Sequence, residues 1–324
     1  MRTYSSIFAK EIQSYISGIR ESGRDVKSHE VHLGSLDSYL AETGHGTKAI
    51  SEPIAVEWLK SRNAGPNYQK TILCYYRGFA NYLAAHGITA CIPDAPYAEH
   101  TYLPYIYSDD EIIKVFHVCD NLKTRYKDCR SPIILPMLLR MLYGTGMRLG
   151  EALRLTMAQL DLKSGYIVLL ETKNNRERIV PIHHSLTEIL LRYAAVMDIL
   201  ADPQSPVFPN KQGGFFSKRW AQGWFEYILD KAGIRNIKNH SHRRGPCLHS
   251  FRHGYAYLAL KQSRSNGMAF EEAIPFISTY LGHKDVTGTD YYLKFSYTLF
   301  EEEQDIFSSY TAGMFPEVYE DEEE

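Results

Sequence analysis

The chain has 324 residues, 44% hydrophobic and 23% charged, which is long enough for two domains with cores and typical of a globular protein. No apolar run approaches the ~18 residues that span a bilayer, and residues 1–17 lack the apolar stretch of a secretion signal, so we expect a cytoplasmic protein without a membrane partner. Five cysteines without a CxxC spacing argue against a disulfide framework and indicate reduced thiols.

The formal net charge of −2 hides an uneven distribution of charge. Residues 301–324 hold ten acidic and no basic side chains, so the rest of the chain carries 36 Lys and Arg against 28 Asp and Glu. Residues 1–105 contain ten of each sign, and the excess of eight positive charges therefore falls in residues 106–300. A basic body with an acidic tail is compatible with a polyanionic partner.

The first hundred residues carry the apolar periodicity of a small helical bundle. Apolar side chains recur at helical spacing over residues 7–19 and 31–40, which predicts two helices. Ser51 is placed to cap a third helix with a proline in its first turn, and residues 66–86 predict a fourth. Residues 88–107 contain three prolines and little periodicity, which indicates a linker.

A second domain is expected to begin near residue 104, because Ser108 and the acidic residues after it indicate a capped helix start. A helix over residues 136–143 should break at the Gly-Thr-Gly that follows. Two strand-like runs, 166–172 and 178–182, predict a β-hairpin, and residues 186 to about 307 are mainly helical. The expected fold is mainly α with a small β-hairpin or sheet: a helical bundle, then a mixed α/β domain.

Two segments carry arginines in settings suited to an anion. Arg148 follows a Gly-Thr-Gly-Met sequence at a helix start, where backbone N–H groups also favour a phosphate. The alternative is a surface arginine paired with Glu151. His249 and Arg252 are three residues apart, so on a helix they share one face, with an imidazole beside a planar fork for two phosphate oxygens. Solvent-facing basic groups at a helix end are the alternative here.

Two further segments could add chemical groups to such a pocket. The turn of the predicted hairpin and its second strand hold three basic residues, Lys173, Arg176 and Arg178. They form either a solvated charged turn or a set of cations delivered into a groove. A Leu-Gly-His sequence ending at His283 is followed by the doublet Tyr291-Tyr292. The chain has 24 tyrosines, so only the spacing of this doublet from His283 sets it apart.

Together, in this order, the four segments resemble the tyrosine recombinase (phage integrase) family over roughly residues 105–300. The family pattern is an arginine in a G-T-G-x-R-x-x-E context, a hairpin lysine, H-x-x-R, and L-G-H with a tyrosine nine residues after the histidine. The positions that fit it are Arg148 with Glu151 as its acidic companion, Lys173, His249, Arg252, His283 and Tyr292. Leu293-Lys294 stand where threonine and histidine often follow the family tyrosine. The spacing favours Tyr292 over Tyr291 as the nucleophile.

The resemblance implies attack of the tyrosine hydroxyl on a DNA phosphodiester, which gives a 3′-phosphotyrosyl bond and a free 5′-hydroxyl that attacks the partner strand. Because the phosphodiester energy stays in the protein–DNA bond, neither a metal nor any other cofactor is expected. Arg148 and Arg252 would clamp the charged phosphate oxygens. His249 would accept or relay the phenol proton, Lys173 would protonate the leaving oxygen, and His283 would donate a hydrogen bond to the phosphate.

The resemblance also implies a two-domain clamp around duplex DNA, with a core-binding bundle over residues 1–104, a catalytic domain over 105–300 and an acidic-tailed segment over 301–324. The expected partners are double-stranded DNA, other copies of the chain in a homotetramer on two DNA sites, and accessory DNA-bending proteins. The expected DNA contacts are Arg176, Arg178, Arg243 and Arg244. Such an enzyme would work through a Holliday junction at the nucleoid of a bacterium or in phage infection, in integration, excision, inversion or resolution.

Three other functions stay open. A type IB topoisomerase uses the same tyrosine chemistry only to relax DNA, whereas the N-terminal bundle favours a recombinase. A DNA-binding protein that has lost catalysis is disfavoured, because every matched position is filled. A zinc-dependent nuclease could draw ligands from one stretch of the chain, His240, His242, Cys247, His249 and His253. Their spacing fits no familiar zinc finger, and the neighbouring arginines would repel a dication.

Overall fold

The computed structural model describes residues 2–97, 104–123, 130–170, 177–234 and 245–282. The chain divides into two compact units, Met1–Thr101 and Tyr102–Glu324. Helices dominate the described part of both units, and the strands described there form one small sheet in the second. The prediction of a mainly α fold with a small sheet is confirmed. Within those same ranges no helix is long and apolar enough to cross a membrane.

The described part of the first unit is built from four helices, α1 (Ala9–Glu21), α2 (Lys27–Glu42), α3 (Glu52–Ser61) and α4 (Pro66–Ala85). α1 buries Ile12, Ile16 and Ile19, which lie on one face as their spacing predicted. In α2, Leu36 is buried as expected, but Val31 is exposed. The second apolar stripe therefore begins later in the helix than the sequence predicted.

The described part of the second unit contains seven α-helices, α5 (Asp109–Asp120), α6 (Ser131–Thr145), α7 (Leu149–Ala152), α8 (His184–Met197), α9 (Lys218–Lys231), α10 (Leu248–Ser265) and α11 (Phe270–Leu281). α6 is the central element, because α5, α8 and α10 all pack against it. Its buried side chains include Leu135, Met137, Leu139 and Met141, which cover more than one face of the helix. A helix that is apolar on most sides is typical of a core position.

The predicted helix starts at Ser51 and Ser108 are both present, but they are capped differently. Ser51 is the N-cap residue of α3 and a proline follows in the first turn, yet its hydroxyl makes no capping hydrogen bond. Ser108 forms a complete capping box with Glu111: the hydroxyl accepts from the Glu111 backbone N at 3.3 Å, and the Glu111 carboxylate accepts from the Ser108 backbone N at 3.0 Å. Such a cap stabilises a helix by about 1 kcal/mol.

The sheet has three antiparallel strands in the order β1 (Leu160–Asp161), β2 (Tyr166–Leu169) and β3 (Arg178–Pro181). The predicted hairpin is therefore confirmed, with Leu169 opposite Arg178 in the last pair before the connecting segment. Both strands are shorter than predicted. β1 was not predicted, because two residues are too few to show a period of two.

Candidate active site

The site is built around the turn between α6 and α7. α6 continues through Thr145 and ends at Gly146, whose φ of 60° lies in the left-handed region that favours glycine. A Cβ on Gly146 would lie 2.8 Å from Cγ of Tyr255, so a side chain does not fit there. The break thus falls at the second glycine of the predicted Gly-Thr-Gly, so α6 ends two residues later than expected. α7 starts at Leu149, with Arg148 as its N-cap residue.

Arg148 is held by contacts on both sides of its guanidinium. Its Nη1 donates to Oε1 of Glu151 at 2.8 Å, and its backbone N donates to Oε2 of the same carboxylate at 2.8 Å. Its Nη2 donates to the backbone carbonyl of Gly282 at 2.9 Å. The pairing with Glu151 that the sequence offered as an alternative to a phosphate site is present. The Arg148 side chain nevertheless stays 22% exposed.

Arg178 reaches the same carboxylate from β3. Its Nη2 donates to Oε2 of Glu151 at 2.7 Å and its Nη1 to Oε1 at 3.2 Å. The sequence predicted Arg178 as a DNA contact; the structure instead places its side chain, only 10% exposed, in an ion pair inside the unit. Burial by itself would raise the pKa of Glu151, but the hydrogen bonds from Arg178 and Arg148 outweigh it and hold that pKa below its ordinary value.

His249 and Arg252 lie one turn apart on α10, as their spacing predicted. Arg252 is 2% exposed, and its Nη1 donates to the carbonyl of Gly146 at 3.0 Å while its Nη2 donates to the carbonyl of Leu281. His249 is exposed, with its ring edge-on to that of His253 at 4.7 Å between centroids. A buried guanidinium is therefore linked by hydrogen bonds to the turn that carries Arg148.

The last residues of α11 accept hydrogen bonds from both arginines. Arg252 binds the carbonyl of Leu281 and Arg148 binds that of Gly282, at the helix end where unpaired carbonyls favour cations. The backbone immediately before His283 is thus fixed by the two arginines. Six predicted site residues lie outside the described residues: Lys173, Arg176, Arg243, Arg244, His283 and Tyr292.

Sequence reasoning did not single out two tyrosines that brace this site. The hydroxyl of Tyr280 on α11 donates to the carbonyl of Thr145 at 3.0 Å, and its ring stacks on Tyr255 of α10. Burial raises the pKa of Tyr280 well above its ordinary value, so the hydroxyl stays protonated and serves as a donor. Tyr107 donates to the carbonyl of Cys247 at 3.1 Å, at the start of α10. No local motif marks either residue among 24 tyrosines.

The zinc alternative drew on residues in the segment before α10. Across the residues with described positions, no group of three or more His, Cys, Asp or Glu could hold a metal ion. His240 and His242 lie outside them. The described part of the site is instead rich in arginine, which suits an anionic ligand.

Comparison with known proteins identifies the class to which this fold and site belong. The fold is like that of the XerH site-specific recombinase bound to palindromic difH substrate, with a TM-score of 0.67 and 18% identity over 87% of this chain and 80% of that one. It is also like that of a lambda integrase tetramer bound to a Holliday junction, with a TM-score of 0.61 and 16% identity over 87% and 79%. These are DNA recombinases.

The sequence relatives agree with that class. A putative integrase/recombinase, y4rB of Sinorhizobium fredii, is 30% identical over 305 residues, covering 92% of this chain and 96% of the relative. The tyrosine recombinase XerC of Xylella fastidiosa is 26% identical over 294 residues, covering 85% and 89%. The family model described as "Phage integrase family" matches residues 108–298. The chain belongs to this family, the tyrosine recombinases, which cut and rejoin DNA.

Proposed function

We propose that this protein is a site-specific recombinase in which Tyr292 forms a 3′-phosphotyrosyl bond with DNA. The observation that carries the proposal is the convergence of Arg148 and Arg252 on one turn, in a chain of the phage integrase family. The Tyr292 oxygen bonds to phosphorus as the bond to the 5′ oxygen breaks. The 5′-hydroxyl of the partner strand then reverses the step, so the number of phosphodiester bonds is conserved.

The two arginines stabilise the negative charge of the transition state. A guanidinium has five N–H donors, and the contacts of Arg148 to Glu151 and Gly282 use two of those five. The others can reach non-bridging phosphate oxygens, where charge accumulates. Arg252 is almost fully buried. Its guanidinium therefore has to become exposed when DNA binds. A planar fork of this kind matches two oxygens of one phosphate.

The other groups supply proton transfer. His249, on the exposed side of α10, accepts or relays the phenol proton. Lys173 protonates the leaving 5′ oxygen, and His283 donates a hydrogen bond to the phosphate. Tyrosine has an ordinary pKa near ~10, so the phenol requires this cationic pocket to attack at neutral pH.

DNA is the partner, contacted by the basic residues of 106–300, among them Arg176, Arg243 and Arg244. The excess of eight positive charges there supports the assignment. Four copies act on two sites through a Holliday junction; the lambda integrase tetramer bound to a Holliday junction, which has a similar fold, supports this assembly. Accessory DNA-bending proteins would arrange the sites, and the setting is a mobile element or chromosome in the cytoplasm, at the nucleoid. Binding should weaken by orders of magnitude between ~50 and ~200 mM salt.

Covalent trapping tests the proposal. Nicked duplexes cut from the DNA that flanks the gene are incubated with the wild type, Tyr291→Phe and Tyr292→Phe in excess chelator. After cleavage the short 5′-ended fragment diffuses away, so the protein–DNA adduct cannot be resealed. The wild type and Tyr291→Phe should form an adduct that survives denaturation, and Tyr292→Phe should form none. An adduct with Tyr292→Phe, or DNA cut without attached protein, contradicts the proposal.

A further inference from the structure

The Glu151 carboxylate is shared equally between two arginines. Oε1 accepts from Nη1 of Arg148 at 2.8 Å and from Nη1 of Arg178 at 3.2 Å. Oε2 accepts from the backbone N of Arg148 at 2.8 Å and from Nη2 of Arg178 at 2.7 Å. A carboxylate has about four acceptor sites. Because these four contacts fill them and the side chain is only 9% exposed, Glu151 is not available to act as a base or to contact DNA.

We infer that Arg178 is a positioning residue for the phosphate pocket, which sets the place of Arg148 by sharing Glu151 with it. This inference rests on the proposed function, since it concerns the same pocket. With Arg178 present, Glu151 takes only one guanidinium nitrogen of Arg148. Without Arg178, half of the acceptor sites of a buried carboxylate would be empty, and unsatisfied buried acceptors are costly. Glu151 would then draw Arg148 towards itself and away from a phosphate.

Charge leads to the same conclusion. One carboxylate between two guanidinium groups leaves a net charge of +1 at the site, whereas a pair of Arg148 and Glu151 alone would be neutral. The attraction of a phosphate depends on that remaining positive charge. Arg178 therefore allows a carboxylate to anchor Arg148 while the site keeps the positive charge that attracts a phosphate.

Arg178 also contacts the segment that leads to His283. A Cβ built on Gly282 would lie 2.9 Å from Nη1 and 3.3 Å from Cζ of Arg178, so the backbone of Gly282 lies against this guanidinium. The carbonyl of the same glycine accepts from Arg148. Arg178 stands at the first pair of β3 after the segment that holds Lys173. It thus joins the hairpin, Arg148 and the end of α11 in one contact network.

Arg140 provides a matched control. Its Nη1 and Nη2 donate to the two carboxylate oxygens of Asp120 at 2.7 and 2.8 Å, between α6 and α5 of the same unit. The pair is bidentate like that of Arg178, but the described contacts of Arg140 are with Asp120, the Pro136 carbonyl and the Phe116 ring, away from the phosphate pocket. Arg140→Gln therefore reports the effect of losing a bidentate ion pair away from the pocket.

The test compares the wild type with Arg178→Gln, Arg178→Lys and Arg140→Gln. The rate of adduct formation is measured on the nicked duplexes. The salt dependence of affinity is measured on a duplex of unrelated sequence, and the melting temperature is measured on the free protein. We expect Arg178→Gln to slow adduct formation by about 10- to 100-fold, because misplacing a catalytic group by ~1 Å has an effect of this size. Arg178→Lys should also be slow, since an ammonium lacks the planar fork that donates two parallel hydrogen bonds to the carboxylate. Arg140→Gln should stay within about twofold of the wild type.

Two further measurements separate positioning from other roles. The double variant Arg178→Gln with Glu151→Gln removes the buried carboxylate whose acceptor sites would be left empty, so it should recover thermal stability. It should not recover the rate, because Arg148 then lacks its carboxylate anchor as well. The slope of log affinity against log salt should fall by about one in Arg178→Gln, because the site loses its net positive charge. It should return to the wild-type value in the double variant, in which Arg148 is no longer neutralised.

Three results would overturn the inference: equal rates for Arg178→Gln and Arg140→Gln, a wild-type rate in the double variant, or a slope that stays lowered in the double variant. The first two make Arg178 merely structural, and the third makes it a DNA contact. If the wild type itself forms no adduct on duplexes that it binds, the proposed function fails and this inference fails with it.

Discussion

Replacing Gly282 by alanine perturbs the pocket without replacing a charged residue. Gly282 has a φ of 67°, and its added Cβ would lie 2.9, 3.3 and 3.4 Å from Nη1, Cζ and Cδ of Arg178. The end of an arginine side chain usually moves aside easily, but this one is held by two bonds to Glu151. Either the ion pair or the backbone of residue 282 has to shift.

The expected magnitudes follow from this geometry. A left-handed backbone costs a non-glycine residue about 1–2 kcal/mol, which is lost from the free energy of unfolding. The displaced Arg178 or Gly282 would also move Arg148, because Arg148 is bonded to Glu151 and to the Gly282 carbonyl. We therefore expect adduct formation to slow by about 10- to 100-fold. Arg252, bonded one residue earlier, should be affected less.

Gly267 is the matched control for backbone strain. It lies between α10 and α11 with a φ of 83°, and no described heavy atom lies within 4 Å of its added Cβ. Gly267→Ala should lose the same ~1–2 kcal/mol in urea unfolding but keep the wild-type rate of adduct formation. Equal rates for Gly267→Ala and Gly282→Ala, at equal stability, would refute the view that Arg178 transmits the contact.

Two more predictions concern stability. Leu138→Ala, at a fully buried position on α6, should lower the free energy of unfolding by about 2–5 kcal/mol. Amide-exchange protection should fall in α6 and α10 but not in α1–α4. An equal fall in α1–α4 would contradict the view that the two units have separate cores. Glu151→Gln should lose about 1.5–3 kcal/mol at pH 7, since charged hydrogen bonds have this worth. Because the folded pKa of Glu151 lies below its ordinary value of 4.5, the stabilisation is present above that pH and is lost as the pH falls through the folded pKa. Urea unfolding at a series of pH values should show the gap to the wild type closing; a constant gap would argue against the ionised carboxylate as its source.

The local parts of the site could be predicted from the sequence. Arg148 and Glu151 are three residues apart, as are His249 and Arg252, and helical geometry alone brings such pairs together. The capping box at Ser108 follows in the same way from a serine and a glutamate at the right spacing. Each of these depends on residues within one turn of the chain.

The remainder depends on tertiary packing, which spacing does not reveal. Arg178 and Glu151 are 27 residues apart. The sequence of a hairpin strand does not show whether a charged side chain points to solvent or into the domain. The position of Val31 on the exposed side of α2 depends on which face α4 covers, and apolar periodicity alone does not fix this.

Arg252 and one side of the Arg148 guanidinium donate hydrogen bonds to backbone oxygen atoms, and this affects how the sequence can vary. The carbonyls of residues 146, 281 and 282 accept hydrogen bonds whatever side chain those residues carry. Substitutions along α11 can therefore accumulate without removing the acceptors, provided that the helix ends at the same place. An insertion or deletion of one residue in α11 would rotate its last carbonyls by about 100° around the helix axis, and it would remove both acceptors at once.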